Sequence, residues 1–132
     1  MSLTLYYHPL SSYCHKALIA LYELSTAFET RFINLGDEHD RAVLSALWPI
    51  CKFPVLIDAT HSRVIPEASL IVEYADHLRA RAKPLIPHDF DSALEVRKWD
   101  RIFDNYVQTP LQEIVIAKMS GDARDLSAAY AR

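Results

Sequence analysis

The segment LTLYYHPLSSYCHKALIALYEL, residues 3–24, decides the fold of this 132-residue chain. It opens with an apolar run of strand length, and Pro9 then bars a helix until the serines that follow. From Ser12 or Tyr13 onward, apolar residues recur at helical spacing as far as Leu24. A strand that turns directly into a helix points the first N–H groups of the helix into the turn. The turn is therefore a natural site for an anion, including a thiolate.

Alternating strands and helices continue through the first 80 or so residues. The predicted elements are a strand at 3–7, a helix from Ser12 to Leu24, a strand at 28–33, a short helix at 38–47, strands at 53–58 and 62–65, and a helix that starts at Pro66 and Glu67. Parallel pairing is expected for the first two strands because a helix connects them. The order βαβ-α-ββα predicts an α/β thioredoxin-like domain, a small mixed sheet flanked by helices.

A segment with two prolines, residues 83–89, is typical of a linker. It separates a first domain at 1–82 from residues 90–132, whose pattern is wholly helical. Pro110 is expected to kink or end the first of these helices, and another helix is expected near Asp122. The helical part is too short to enclose a core of its own. We therefore expect an incomplete, truncated all-α domain after the linker.

The composition excludes several classes of function. The only glycines are Gly36 and Gly121, which excludes a P-loop and a GxGxxG dinucleotide turn. A net charge of -3 gives no basic excess for a nucleic-acid partner, and no apolar run approaches the roughly 18 residues that a membrane span needs. The six histidines are scattered, so no metal is expected. Two cysteines, Cys14 and Cys51, favour a cytoplasmic location.

Residues 11–14 have the spacing of the Cys-x-x-Cys motif of thioredoxin-like redox proteins, but Ser11 stands in the first position. Cys14 therefore cannot form the local disulfide. Two interpretations of the serines stay open: Ser11 and Ser12 cap the helix, or one of them donates a hydrogen bond to a thiolate that a ligand supplies. Cys14 is either a small buried residue of the first helical turn or a reactive thiol.

Three segments together carry a resemblance to a known family. They are YYHPLSSYCHK at 6–16, KFPVL at 52–56 and PEASLIVEY at 66–74. In their order and spacing they resemble the cytosolic glutathione S-transferases, and residues 85–110 look like the linker and first long helix of that family's second domain. The resemblance implies a homodimeric, cytoplasmic detoxification enzyme. It would take glutathione as co-substrate, with no metal, and direct its thiolate to a small hydrophobic electrophile.

The resemblance also implies roles for individual residues. Ser11, or alternatively Ser12, would stabilise the thiolate of glutathione. A cis peptide bond between Phe53 and Pro54 would present the backbone of Phe53 to the cysteinyl part of the ligand. Glu67, at the start of a helix, would hold the ligand's ammonium group.

Other positions depart from the family pattern or are less specific. The family pattern has a serine after the glutamate, whereas this chain has Ala68, which keeps the N–H group and lacks the hydroxyl. Ser69, the next residue, is a candidate for compensation. Lys52, or alternatively His39, would meet the glycyl carboxylate. Cys51 stands where relatives often have glycine.

The electrophile pocket implied by the resemblance would be lined by four apolar residues: Leu10, Trp99, Phe103 and Tyr106. Two other functions remain open. One is a non-catalytic transferase-like module that serves protein interaction, which the missing hydroxyl at Ala68 favours. The other is a glutathione-dependent thiol–disulfide oxidoreductase that uses Cys14, which Ser11 disfavours.

Overall fold

The computed structural model describes residues 2–79 and 84–119. The chain divides into two compact units, with the boundary between Ile86 and Pro87. In the first unit, the described residues form a four-stranded mixed sheet and three helices. In the second unit, the described residues are helical from Phe90 onward. The predicted helix near Asp122 lies outside the described residues.

The first unit has the order of elements that the sequence predicts. The bounds are β1 Leu3–Tyr7, α1 Ser12–Glu23, β2 Glu29–Phe32, α2 Glu38–Leu47, β3 Val55–Asp58, β4 Arg63–Pro66 and α3 Ala68–Leu78. The strands lie in the order β2-β1-β3-β4. β2 is parallel to β1, as expected for a βαβ unit, while β3 is antiparallel to both β1 and β4. The predicted βαβ-α-ββα thioredoxin-like fold is confirmed.

The main core of the first unit holds the sheet, α1 and α3 together. Strand residues that alternate along β1 meet small and branched residues spaced along the two helices. The buried members are Leu3, Leu5, Ala17, Leu21, Leu24, Leu56, Ile71 and Ala75. A second, smaller core contains a residue of α2, the residue that follows the edge strand β2 and the first residue of β3; in chain order these are Ile33, Leu44 and Val55. These contacts fix α1 and α3 side by side.

Polar contacts complete the docking of α3. Arg79, which follows α3, donates from Nε to the Leu24 carbonyl at 3.2 Å and from Nη2 to the Ser25 carbonyl. It thereby satisfies carbonyl groups that the end of α1 leaves without helical partners. The Asp76 carboxylate accepts the backbone N–H groups of Leu85 and Ile86, each at 2.9 Å. These bonds hold the segment after α3 within the first unit.

One predicted boundary is wrong. The sequence predicts that Pro66 and Glu67 open α3, whereas Pro66 is the last residue of β4 and α3 begins at Ala68. β4 is an edge strand, so a proline there leaves no ladder hydrogen bond unmade. Glu67 lies between the strand and the helix with a φ of 69°, a left-handed backbone conformation.

The second unit consists of α4 at Phe90–Ile102, a π-helical segment at Phe103–Gln108 and α5 at Thr109–Met119. The sequence predicts a kink or an end of the helix at Pro110, and the structure has the π-helical segment directly before Thr109 and Pro110. Proline has no N–H group to donate back along the helix, and Thr109 Oγ1 donates to the Asp104 carbonyl at 2.8 Å. Among the described residues, no helix has the length and apolar character that crossing a membrane requires.

Candidate functional site

Three chain segments meet at one end of the sheet, which we call the site end. Tyr6 near the end of β1 pairs with Val55, and Val55 pairs with Pro66 at the end of β4. The turn after β1, the Phe53–Pro54 peptide before β3 and Glu67 after β4 therefore lie at this same end. Since α1 follows the turn and α3 follows Glu67, both helices direct their first N–H groups toward it.

Ser11 is the N-cap residue of α1. Its Oγ accepts a hydrogen bond from the backbone N–H of Cys14 at 3.3 Å, and the residue is buried. The capping role left open by the sequence is therefore confirmed for Ser11. A hydroxyl that accepts a bond still has one proton to donate, either to the neighbouring Cys14 thiol or to a ligand, so capping does not exclude a second role. Ser12 is the first residue of α1 and is half-buried.

Cys14 is fully buried in the first turn of α1. Burial raises the pKa of its thiol, and hydrogen bonds from the Ser11 side chain and the His8 backbone oppose this only in part. A thiol of this kind stays protonated near neutral pH and is shielded from a substrate. The structure thus argues against Cys14 as a redox nucleophile. Both cysteines are free thiols.

Two histidines hold the turn before α1, a role that the sequence does not predict. His8 Nδ1 accepts the backbone N–H of Leu10 at 3.1 Å, and His15 Nε2 donates to the Pro9 carbonyl at 2.7 Å. The ring of His8 also stacks on Phe53, with centroids 5.6 Å apart and planes 16° apart. His8 therefore couples the turn to the segment before β3, a contact between segments that no local spacing reveals.

The peptide bond between Phe53 and Pro54 is cis, as predicted. Pro54 is buried and Phe53 is half-buried. Cys51, two residues earlier, has a φ of 55°. This left-handed conformation suits glycine best, so Cys51 adopts it at some cost in backbone strain.

The start of α3 differs from that of α1. Glu67 is exposed and makes no side-chain capping hydrogen bond, while its carbonyl accepts the N–H of Ile71 at 3.0 Å. Ala68 is only 4% exposed. Ser69 Oγ accepts a hydrogen bond from Nζ of Lys16 on α1 at 2.8 Å. Sequence patterns do not single out Lys16, because this contact joins residues 53 positions apart and no motif links them.

His39 and Lys52 are both exposed. His39 lies in the first turn of α2, and this turn is tied to the loop after β2 by a hydrogen bond from Asn34 N–H to Asp40 Oδ2 at 2.9 Å. Lys52 directly precedes Phe53. Both residues thus belong to segments that border the site end, and their contact with a glycyl carboxylate stays a prediction.

The four residues predicted for the electrophile pocket fall in different units. Leu10 is 58% exposed in the first unit. Trp99, Phe103 and Tyr106 belong to the second unit, where the rings of Trp99 and Phe103 are 6.0 Å apart and all three side chains are exposed. Their shared pocket stays a prediction. Within residues 2–79 and 84–119, no group of three His, Cys, Asp or Glu side chains is placed to hold a metal ion.

The sheet order, the helices on it and the cis-proline segment beside the turn define a thioredoxin-like domain. A family model described as the glutathione S-transferase N-terminal domain matches residues 5–83, which is more than half of the chain. The chain belongs to the glutathione S-transferase family.

Solved structures agree with this assignment at the level of the fold. A glutathione S-transferase from Methylobacillus flagellatus KT, with glutathione bound, is 24% identical at a TM-score of 0.79; the match covers 98% of this chain and 63% of that one. A glutathione S-transferase from Rhodospirillum rubrum F11 is 25% identical at a TM-score of 0.77, covering 98% and 60%. Glutathione S-transferase 1-6 from Anopheles dirus species B is 21% identical at a TM-score of 0.81, covering 96% and 62%.

The present chain thus spans 60–63% of the length of these three structures. A search of curated protein sequences finds no match.

Proposed function

We propose that the protein binds glutathione at the site end and stabilises its thiolate for attack on a small electrophile. One observation carries the proposal: the capped start of α1, the backbone before Pro54 and the start of α3 behind Glu67 share one end of the sheet. Family membership supports it, and so does the glutathione bound to the relative from Methylobacillus flagellatus.

In this proposal, each part of the tripeptide has a partner on the chain. The exposed carboxylate of Glu67 holds the ammonium group of the γ-glutamyl residue, and the first N–H groups of α3 hold its carboxylate. The backbone of Phe53 pairs with the cysteinyl residue as an added strand. Lys52 or His39 meets the glycyl carboxylate.

Ser11 acts on the sulfur. A thiol with a pKa of about 8.5 is mostly protonated at neutral pH, so the site must favour the anion. The Ser11 hydroxyl donates a hydrogen bond to the sulfur, and the start of α1 adds a favourable field. The thiol proton leaves to solvent, and a sulfur electron pair then forms a bond to the electrophilic carbon. Either a leaving group departs with its bonding electrons, or a conjugated double bond takes them up and is protonated.

The remaining parts of the proposal concern the whole protein. Leu10, Trp99, Phe103 and Tyr106 line the electrophile pocket, and two copies form a homodimer in the cytoplasm, where the enzyme detoxifies hydrophobic electrophiles. All four side chains are exposed and therefore accessible to a ligand.

Calorimetric titration with glutathione and conjugation of a chromogenic aryl halide test the proposal. Ser11→Ala is expected to lower kcat/KM by about tenfold or more, since a hydrogen bond to a charged group contributes roughly 1.5–3 kcal/mol. Ser11→Gly is the matched control, because glycine at an N-cap costs only a few tenths of a kcal/mol and has no side-chain donor. It is expected to lose activity like Ser11→Ala while keeping the stability that Ser11→Ala loses. Ser12→Ala tests the rival serine.

Three results would contradict the proposal. Absence of glutathione binding would exclude the function altogether. Conjugation that survives Ser11→Ala, or that Ser11→Gly restores, would remove the Ser11 hydroxyl from the mechanism. Glutathione binding without conjugation of any electrophile would favour the non-catalytic module, to which Ala68 lends support because it lacks one hydrogen bond to the ligand.

A further inference from the structure

His8, the residue directly after β1, shapes the turn that leads into α1. Its carbonyl accepts the backbone N–H of Ser11 at 3.0 Å, which closes a four-residue turn with Pro9 in the second position. Its ring Nδ1 accepts the backbone N–H of Leu10 at 3.1 Å. This second bond has the pattern of an Asx-turn, in which a side chain bonds to the backbone two residues on. The turn ends at Ser11, so His8 determines where the N-cap residue of α1 lies.

The ring of His8 also reaches outside this turn. Its centroid is 5.6 Å from that of Phe53, with the planes 16° apart, and 5.2 Å from that of Phe32 at the end of β2. His8 and Phe53 are both half-buried. Aromatic pairs at such separations attract each other beyond the area that they bury. The turn that ends at Ser11 is therefore anchored to the segment that carries the Phe53–Pro54 peptide.

We propose that His8 is a positioning residue that sets the distance between the Ser11 hydroxyl and the sulfur of a glutathione bound along Phe53. The inference rests on the proposed function and adds the side chain that aligns its two parts. The backbone of Phe53 fixes the cysteinyl residue and with it the sulfur, whereas the turn fixes Ser11. A hydrogen bond weakens steeply when its donor and acceptor move out of line, so the two segments must keep one relative position.

A purely local role for His8 is the competing explanation. In that case the Nδ1 bond shapes the turn, and the ring face has no part in the chemistry. Phe53 has support of its own, because it packs against the second, smaller core of the first unit. Loss of the His8 ring should therefore move the turn more than it moves Phe53. Glutathione would still bind, but its sulfur would lie less well against Ser11.

Two measurements on the 132-residue chain separate these explanations. The thiolate of bound glutathione absorbs in the ultraviolet, and difference absorbance across a pH series gives the acidity of the bound thiol. Calorimetric titration with S-methylglutathione, whose sulfur has no proton to lose, gives the affinity for the rest of the tripeptide. His8→Ala is expected to reduce the acidity about tenfold, the lower end of the effect of one hydrogen bond to a charged group, and to change S-methylglutathione affinity less than about twofold.

Two conservative variants divide the two contributions of His8. Asparagine at this position accepts the Leu10 N–H in an Asx-turn but has no ring, whereas phenylalanine stacks on Phe53 but has no acceptor. His8→Asn and His8→Phe are therefore each expected to reduce the acidity about threefold, less than His8→Ala does. His77→Asn is the matched control, since His77 is exposed in the last turn of α3, and it should leave both quantities unchanged.

A double-mutant cycle with Ser11→Gly identifies the group through which His8 acts. If His8 positions the Ser11 hydroxyl, His8→Ala reduces the acidity in the wild-type background. The same substitution should have no effect in Ser11→Gly, where there is no hydroxyl to position. A contribution of His8 that does not pass through Ser11 would instead be equal in the two backgrounds.

Four results would overturn the role of His8 while the proposed function stands. They are wild-type acidity in His8→Ala, wild-type acidity in His8→Asn, equal effects in the two backgrounds, and equal loss of affinity for glutathione and S-methylglutathione. Failure of the wild-type chain to bind glutathione, or wild-type acidity in Ser11→Gly, would overturn the proposed function and the role of His8 together. Reduced acidity in all three His8 variants that disappears with Ser11→Gly would support the proposal whatever the stability of the variants.

Discussion

The two ends of the sheet each present a carboxylate, and the chain treats them differently. Where β3 turns into β4, which we call the hairpin end, the Asp58 side chain is fully buried. It accepts hydrogen bonds from the Tyr74 hydroxyl at 2.7 Å and from His61 Nδ1 at 2.8 Å. At the site end, Glu67 is exposed, has a φ of 69° and makes no capping bond to α3.

The contrast distinguishes polar side chains that stabilise the fold from one that does not. Asp58 ties the hairpin to α3 through Tyr74, and Arg63 lies over the Tyr74 ring, 5.8 Å from its centroid. Within residues 2–79 and 84–119, no comparable side-chain contact engages Glu67, although its backbone conformation is unfavourable for a residue with a side chain. Strain that the fold does not need is typical of ligand-binding positions. We therefore expect changes at the hairpin end to alter stability and changes at the site end to alter binding.

The largest expected effect is that of Asp58→Ala. It leaves the Tyr74 hydroxyl and His61 without their acceptor and should lower the free energy of unfolding by about 2–4 kcal/mol. Urea unfolding followed by circular dichroism measures this. Tyr74→Phe removes one hydrogen bond and should cost only about 1–1.5 kcal/mol. A loss below about 1 kcal/mol for Asp58→Ala would erase the contrast between the two ends of the sheet.

The second largest expected effect is a loss of stability in acid, which acts at the hairpin end. Burial raises the pKa of Asp58, but hydrogen bonds from His61 and Tyr74 and the charge of His61 outweigh it and lower the pKa from 3.8 to about 2. The carboxylate therefore stabilises the fold above pH 3.8, and this contribution, about 2.5 kcal/mol, disappears as the pH falls toward 2.

Urea midpoints measured between pH 5 and pH 2 check this expectation. The wild-type protein should lose more stability over that range than Asp58→Asn, which has no carboxyl group at position 58 to protonate. Equal slopes for the two proteins would mean that Asp58 titrates alike in the folded and unfolded states.

Glu67→Gly is expected to change the stability least, and it should stabilise the protein where the other substitutions destabilise it. Glycine adopts a φ of 69° readily, so the free energy of unfolding should rise by about 1 kcal/mol. Glutathione binding should weaken about tenfold, because the partner of the ligand's ammonium is lost. Thermal unfolding and calorimetry report the two effects separately. A less stable Glu67→Gly protein would show that the Glu67 side chain serves the fold.

Local sequence patterns were enough to predict much of this molecule. The apolar run at 3–7 and the helical spacing after Ser12 predict β1 and α1, and both are present. The cis bond between Phe53 and Pro54, which the family resemblance implies, is also present. The strand and the helix depend mainly on residues close together in the chain. The same is true of the thioredoxin-like order, which follows from the succession of such segments.

What the sequence did not reveal depends on tertiary contacts. The sequence predicts that Pro66 starts a helix, whereas Pro66 is the last residue of β4. Because β4 lies at an edge of the sheet, the missing N–H of the proline costs no hydrogen bond there. The contact of Lys16 with Ser69 and that of Tyr74 with Asp58 join residues far apart in sequence. Only the packing of α1 and α3 on the sheet brings these pairs together, and no spacing rule encodes it.

An NMR titration shows directly whether the site end serves a ligand. Glutathione is added to the ¹⁵N-labelled chain, and backbone amide signals are followed. We expect saturable shifts for Phe53, Ala68 and Ser69, with those of Asp58 and His61 unmoved. Shifts confined to the hairpin end, or no saturable shift anywhere, would contradict this expectation.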